Sequence, residues 1–354
     1  MSQPNIFLAK TTNRSLLKSS DQTKPITIHF EGNQKAILDP TVPGAKAWGE
    51  MIDYLQNNNR PVYVETDAAS GVITQLCAPS PERVWEIDET GEEVVYVSFH
   101  TSTALRYLRR NHPAFPEILR SLKRALEQDA TVLVTSANLP LEIIDVRELP
   151  ALFKQDAAKE SPTTPDDSDD ALSRVTPERA LELFKKIAAI SCIPVFSANA
   201  IGTCIPFKNP ANGCWVRAHL MAFMLMDEKE TPGKIWSTGK DLHTRSTNVP
   251  NCIVRWGWHV ATTLMVIYPD GREEKMVFDP SMFDRPVSVD EWKLGQTDPK
   301  IKVSYTEWWW YRFGVKDVDR ATANEKMEEF RIELKIMWEK LGPPPYDCPK
   351  SENT

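Results

Sequence analysis

Residues 155–171, QDAAKESPTTPDDSDDA, limit the possible folds more than any other stretch, because they cannot join a core. They hold almost no large apolar side chain and are rich in acid, Pro, Ser and Thr. Such a segment buries too little surface to offset the entropy of ordering it. A linker is therefore expected, and the 354 residues divide into two blocks, in keeping with the ~100–200 residues of a usual domain. The expected layout is a flexible lead-in over 1–24, an N-terminal α+β domain over 25–150, an acidic linker over 151–174, a second domain over 175–342 and a flexible tail over 343–354.

In the first block, PITIHF, PVYVET, VITQL, RVWEI, VVYVSF, VLVTS and LEIIDV read as strands bounded by turn residues. Residues 44–57, 102–111 and 114–128 read as helices. The strands cluster instead of alternating with helices, which is an α+β pattern. In the second block, Thr176-Pro177-Glu178 offers a cap, a Pro at the first helical position and an early acid, so a helix should run to about Ala189. Residues 321–341 form a second amphipathic pattern, with Met327, Phe330, Leu334, Met337 and Leu341 on one face. No internal repeat is present.

Several function classes are excluded early. The net charge of -7 gives no basic field for a phosphate backbone. Neither G-x-x-x-x-G-K-[ST] nor G-x-G-x-x-G occurs. No apolar run approaches the ~20 residues that span a bilayer. The six cysteines form no C-x-x-C pair, so a zinc ribbon or redox motif is not expected. No metal and no cofactor are expected. Sparse cysteine usage fits a reducing compartment. Cys192 and Cys204 read as buried thiols that would pair only in an oxidising one. The first twenty residues are polar after Phe7 and Leu8 and show no signal-peptide pattern. The expected location is cytoplasmic, or exported by a route without a signal peptide.

The informative chemistry begins at NPANGCWVRAHLMAFMLMDE, 209–228. Loop and cap residues give way at Trp215 to helical apolar spacing. This puts Cys214 at the first turn of a buried helix, where unpaired N–H groups and the helix dipole favour a thiolate. On position alone, the reading as a small buried hydrophobe comes first and the nucleophile second. A nucleophile needs a base. His219 lies about 140° around the helix from Cys214 and points elsewhere. His243 falls in a polar stretch read as a surface loop. His259 lies in CIVRWGWHVATTLMVIY, a strand that sets His259, Ala261 and Thr263 on one face. A hydrogen-bonded core histidine is the competing reading. Asp279 ends the next apolar strand. In a hairpin centred on Pro269, Asp279 and His259 are equidistant from the turn and face each other. A loop centred between Asp270 and Gly271 would pair Asp279 with Thr262 and leave the acid roughly 10 Å from the histidine. The pairing therefore requires a three- or five-residue loop.

GCWVRAHLM (213–221), WGWHVATTL (256–264) and VFDPSMF (277–283), in this order and preceded by IPFKNP (205–210), resemble the protein glutaminases, enzymes that remove the amide from glutamine side chains in proteins. The resemblance implies a papain/transglutaminase-like catalytic domain, with a cysteine-bearing helix against an antiparallel sheet. It also implies a Cys-His-Asp triad: Cys214 as nucleophile, His259 as base and Asp279 as orienting acid. Known members carry an N-terminal pro-region that blocks the site, so residues 25–150 are expected to be an intramolecular inhibitor or, alternatively, an adaptor domain. Trp256 and Trp258 flank the histidine and are candidates for lining a glutamine slot, with sheet-core packing as the alternative. Arg217 reads as a hydrogen-bond donor within the cysteine helix. The Trp308–Trp310 run reads as packing. The expected partner is a protein or peptide bearing glutamine, with no nucleic acid and no membrane. A transglutaminase or cysteine peptidase using the same triad, and a non-catalytic interaction protein with an inactive triad, remain the alternatives.

Overall fold

The computed structural model describes residues 5–12, 23–137, 141–149, 171–192, 204–298 and 300–348. Most of the linker segment read at 155–171 lies outside them. The chain forms two compact units. One comprises Met1–Val97, Arg106–Phe153 and Ile332–Pro343; the other comprises Ser98–Leu105, Lys154–Arg331 and Pro344–Thr354. Each unit thus contains a short segment from the other block of sequence, which the two-block reading does not anticipate.

The first unit contains β1 (Asn5–Ala9), β2 (Ile26–His29), β3 (Lys35–Leu38), α1 (Ala45–Asn57), β4 (Val62–Thr66), β5 (Ile73–Cys77), β6 (Ser80–Asp88), β7 (Val94–Phe99, whose last two residues belong to the second unit), β8 (Arg106–Arg109), α2 (Phe115–Glu127), β9 (Thr131–Ser136) and β10 (Ile143–Glu148). These make a three-stranded sheet β1-β4-β5, a β2-β3 hairpin and a five-stranded sheet β10-β9-β6-β7-β8. Helix α1 buries Trp48, Met51, Ile52 and Leu55, the i, i+3, i+4, i+7 stripe of an amphipathic helix. Two sequence readings are corrected here. The lead-in is not wholly free, because Asn5–Ala9 pairs antiparallel with β4. Residues 102–111 are not a helix: 106–109 pair with β7. The Leu/Arg-rich composition favours a helix weakly, and tertiary pairing overrides it.

The second unit contains β11 (Arg174–Val175), α3 (Pro177–Ala188), α4 (Cys214–Asp227), β12 (Gly233–Arg245), β13 (Ile253–Ile267), β14 (Glu273–Phe278), β15 (Val287–Ser288), α5 (Val289–Leu294), β16 (Lys302–Glu307), β17 (Trp310–Arg312), β18 (Val315–Lys316) and α6 (Arg320–Leu341), whose last turns belong to the first unit. Its main sheet runs β15-β14-β13-β12-β16, with β11 parallel to β13. Helix α4 packs on β13. Thr176 caps α3 by accepting from the Arg179 N–H at 3.3 Å, as its sequence position predicts. His243, read as a loop residue, lies in β12. In α6, Met327, Phe330, Leu334 and Met337 are buried, whereas Leu341 is half exposed.

The β13–β14 hairpin has a three-residue loop centred on Asp270. Tyr268 N–H donates to Arg272 O at 2.9 Å, and Gly271 N–H to Tyr268 O at 2.9 Å. Gly271 has φ +84°, the left-handed residue such a loop requires. The ladder pairs Thr262 with Phe278 and Thr263 with Val277. One step further, Asp279 comes level with Ala261, two residues from the expected register. Side chains alternate with period two, so this even slip leaves acid and histidine on one face.

Two disulfides are present, Cys192–Cys204 and Cys252–Cys348. The reading of Cys192 and Cys204 as thiols is thus replaced by its alternative. The second disulfide ties down residues up to Cys348 of what was read as a flexible tail, and Tyr346 N–H donates to Thr247 O at 2.8 Å.

Candidate active site

Cys214 is the first residue of α4 and is 1% exposed. The preceding Gly213 has φ +78°, a conformation that glycine adopts without a Cβ penalty. An added Cβ would also lie 2.8 Å from the Phe330 ring. The approach to the cysteine is held by side chains. Arg217, one turn into α4, donates through Nη1 to Asn209 O (2.9 Å) and Asn212 O (2.6 Å). Asn212 Oδ1 accepts from Gly213 N–H at 2.9 Å. Arg217 is therefore the hydrogen-bond donor its position suggests. Burial lowers its proton affinity, and Cys214 and Asp279 oppose this.

His259 is fully buried on β13 and lies opposite Ser237 of β12. Its Nε2 donates to Asp279 Oδ2 at 2.7 Å. Burial disfavours the imidazolium, but Asp279 and then Cys214 outweigh it and raise the pKa to about 9. The other nitrogen, Nδ1, is buried without a hydrogen-bond partner in good geometry; Cys214 nevertheless acts on the ring through its charge and side chain. Asp279 is likewise disfavoured as a carboxylate by burial. His259, Ser281 and Trp292 reverse this and lower its pKa to about 2. Asp279 and His259 thus act on one another at the start of α4, where Cys214 lies.

Both candidate slot tryptophans are fully buried. Trp258 donates through Nε1 to Phe99 O (3.0 Å) and packs against Trp215, Trp236 and Phe313. Trp256 lies nearly parallel to the His259 ring, 4.4 Å between centroids, and donates to Pro210 O at 3.0 Å. It therefore joins the cysteine approach to the histidine. A second indole, Trp292 of α5, also lies near-parallel to the imidazole at 5.7 Å. Sequence reasoning missed Trp292 and Ser281. Ser281 had a signal, since Asp-Pro-Ser is a turn in which the acid can accept from the residue two positions on. Trp292 had none.

Residues 98–105, although from the first block of sequence, are part of this unit. Gly257 N–H donates to Thr103 O (2.9 Å) and Leu105 N–H to Arg255 O (3.1 Å), with Ala104 opposite Trp256. Thr103 Oγ1 reaches Asn212 Oδ1 at 3.4 Å. A Cβ on Gly257 would lie 2.8 Å from Ser98 Cβ, so the absent side chain permits this close approach.

His219 points away from the site, as the helical spacing predicts. Its Nε2 donates to Val318 O at 2.7 Å and its Nδ1 accepts from buried Lys234 at 3.0 Å. Burial and Lys234 hold its pKa down at about 4. Lys234 also donates to Trp310 O. Among the described residues no cluster of His, Cys, Asp and Glu could hold a metal ion, and no helix is long and apolar enough to cross a membrane.

Residues 180–295 match a family model described as Glutaminase (Gln_deamidase_2). A crystal structure of pro-protein-glutaminase is similar to this chain with a TM-score of 0.54 and 23% identity, covering 70% of this chain and 90% of its own. The A47Q2 mutant of pro-protein-glutaminase is similar with a TM-score of 0.53 and 21% identity, covering 78% and 97%. These likenesses show a shared mixed α/β fold. No curated protein matches the chain. The resemblance to the protein glutaminases is borne out.

Proposed function

We propose that the protein is a hydrolase that converts protein-bound glutamine to glutamate, with Cys214 as nucleophile, His259 as acid and base, and Asp279 as its orienting partner. The observation that carries this reading is the buried Asp279–His259 pair at 2.7 Å, with Cys214 acting on the same imidazole, inside the span matched by the glutaminase family. The raised proton affinity of His259 favours an imidazolium at rest, and the form of Cys214 that attacks carbon is the thiolate. The thiolate attacks the carboxamide carbon, and the imidazolium protonates the departing ammonia. The neutral imidazole then activates water, which attacks the thioester and releases glutamate. Asp279 holds the ring and its tautomer through both steps. The backbone N–H of Cys214, at the helix start, is assigned as one donor to the tetrahedral oxygen. Helix α4 against β13 supports a papain/transglutaminase-like catalytic unit.

The test is ammonia release from a glutamine-containing protein, with and without a primary amine. Cys214→Ala and Cys214→Ser should abolish it, since a hydroxyl at its ordinary pKa replaces a thiolate poorly. Cys77→Ala, which removes the other free cysteine, should retain most of it. Activity surviving in Cys214→Ala would refute the mechanism. Amine incorporation at the expense of free glutamate would identify a transglutaminase instead.

Residues 25–150 are read as a regulatory domain. The pairing of 103–105 with β13 beside Trp256 supports a segment laid along the strand that carries His259, and the similarity to a pro form supports the same role. An adaptor that delivers a substrate is the alternative. The two disulfides favour an oxidising location over the cytoplasm.

A further inference from the structure

We propose that Trp292 is a positioning residue for the reaction: its indole N–H fixes the Asp279 carboxylate and, through it, the orientation and charge of His259. This rests on the reading of Asp279 and His259 as the acid–base pair. The carboxylate has about four acceptor sites, and four donors fill them. Oδ2 accepts from His259 Nε2 (2.7 Å) and Trp292 Nε1 (3.0 Å). Oδ1 accepts from Ser281 Oγ (2.5 Å) and Ser281 N–H (3.3 Å). The group cannot rotate or exchange its oxygens without breaking several bonds in a buried site.

Trp292 is itself held. Ser288 caps the short α5 by accepting from Glu291 N–H at 3.1 Å. Gln296 Nε2 donates to Trp292 O at 3.2 Å, and Ser237 Oγ donates to Gln296 Oε1 at 2.5 Å. Ser237 is the cross-strand partner of His259. The bonds therefore close a buried circuit from β12 through Gln296, Trp292 and Asp279 to the histidine opposite Ser237. The indole ring also lies near-parallel to the imidazole, at 23° between planes, and is fully buried. Trp292 thus restrains both members of the pair, one by a hydrogen bond and one by its ring.

The charge consequence follows from the donor count. A donor that shares Oδ2 spreads the negative charge the imidazolium would otherwise draw on. Removing it leaves a more basic carboxylate, which holds the proton on His259 more strongly. The titratable groups acting on the imidazole are Asp279 and Cys214, and Arg217 on α4 acts on both of those. Strand β12 presents Ser237, and α5 presents Trp292.

The experiment uses the intact chain with isotope-labelled histidine, following the His259 ring through a pH titration, with its signal assigned by loss in His259→Gln. Trp292→Phe keeps a ring but lacks the N–H; Trp292→Met lacks both ring and N–H. Both should move the His259 titration upward by roughly half a unit to one unit, with the other histidine signals unchanged as the check on folding. A midpoint that stays in place or falls in a folded variant overturns the proposal. Asp279→Asn is the separate control and should lower the midpoint. If it does not, the pairing of Asp279 with His259 is itself wrong; if it does while the Trp292 variants stay at the parent value, only the role of Trp292 is rejected.

Discussion

Gly213→Ala tests whether the cysteine helix is positioned as described. Two costs add. The left-handed φ of +78° costs an alanine about 1–2 kcal/mol. The new Cβ would lie 2.8–3.0 Å from three carbons of the Phe330 ring, well inside the ~3.5–4.0 Å of a good carbon contact. The ring is edge-on to Trp215 at 5.4 Å, so it cannot slide without disturbing the α4 core. Overpacking of this kind costs about 1–3 kcal/mol. The sum is about 2–5 kcal/mol. It should appear as a lowered urea midpoint followed by tryptophan fluorescence, together with a loss of ammonia release, because Cys214 is the next residue. Phe330→Leu in the same chain relieves the overlap and leaves the φ cost. The double variant should therefore be more stable than the two single effects added, by about 1–3 kcal/mol. A Gly213→Ala protein within about 0.5 kcal/mol of the parent, or strict additivity with Phe330→Leu, would refute this account of the helix start.

The Asp279–His259 pair predicts a pH-dependent stability. His259 is raised to about 9, so its contribution is full below the unfolded value of ~6.5 and is lost as pH rises through 9. Asp279 is lowered to about 2, so its contribution is full above ~3.9 and is lost as pH falls through 2. Melting temperature against pH should show both limbs, and Asp279→Asn should flatten them. Limited proteolysis of the native chain should cut first within residues 155–171, whose composition suits an exposed site. The nicked protein should then deamidate faster than the intact one. Equal rates on a small glutamine peptide would reject autoinhibition, and a loss confined to protein substrates would favour the adaptor.

The legible parts of the site are those written in local periodicity. Pro-Asn-Gly followed by helical spacing located the start of α4, and strand alternation put His259 on a definite face. The β13–β14 pairing was legible only to within an even slip, because the loop centre depends on which residue takes the left-handed conformation. That residue is Gly271, so the centre falls on Asp270 rather than Pro269. Residues 102–111 were misread because helix formers such as Leu105, Arg106 and Leu108 are recruited into strand pairing. Trp292 reaches Asp279 from a separate short helix, and Cys252 meets Cys348 across 96 residues. No spacing rule connects either pair, so both were out of reach of the sequence.

The exchange of segments between the two units also sets a schedule for synthesis. The first unit's core joins Ile28, Trp48, Ile52 and Val64 to Ile332 and Ile336, and Lys335 pairs with Glu50 at 2.5 Å. At about 5–20 residues per second on the ribosome, the interval between Trp48 and Ile332 is on the order of tens of seconds. Throughout that time the N-terminal block lacks two of its core isoleucines. The second unit needs residues 98–105 from early in the chain, while the first needs 332–343 from near its end. Both units draw residues from α6, so neither has its full set of core residues until that helix has emerged.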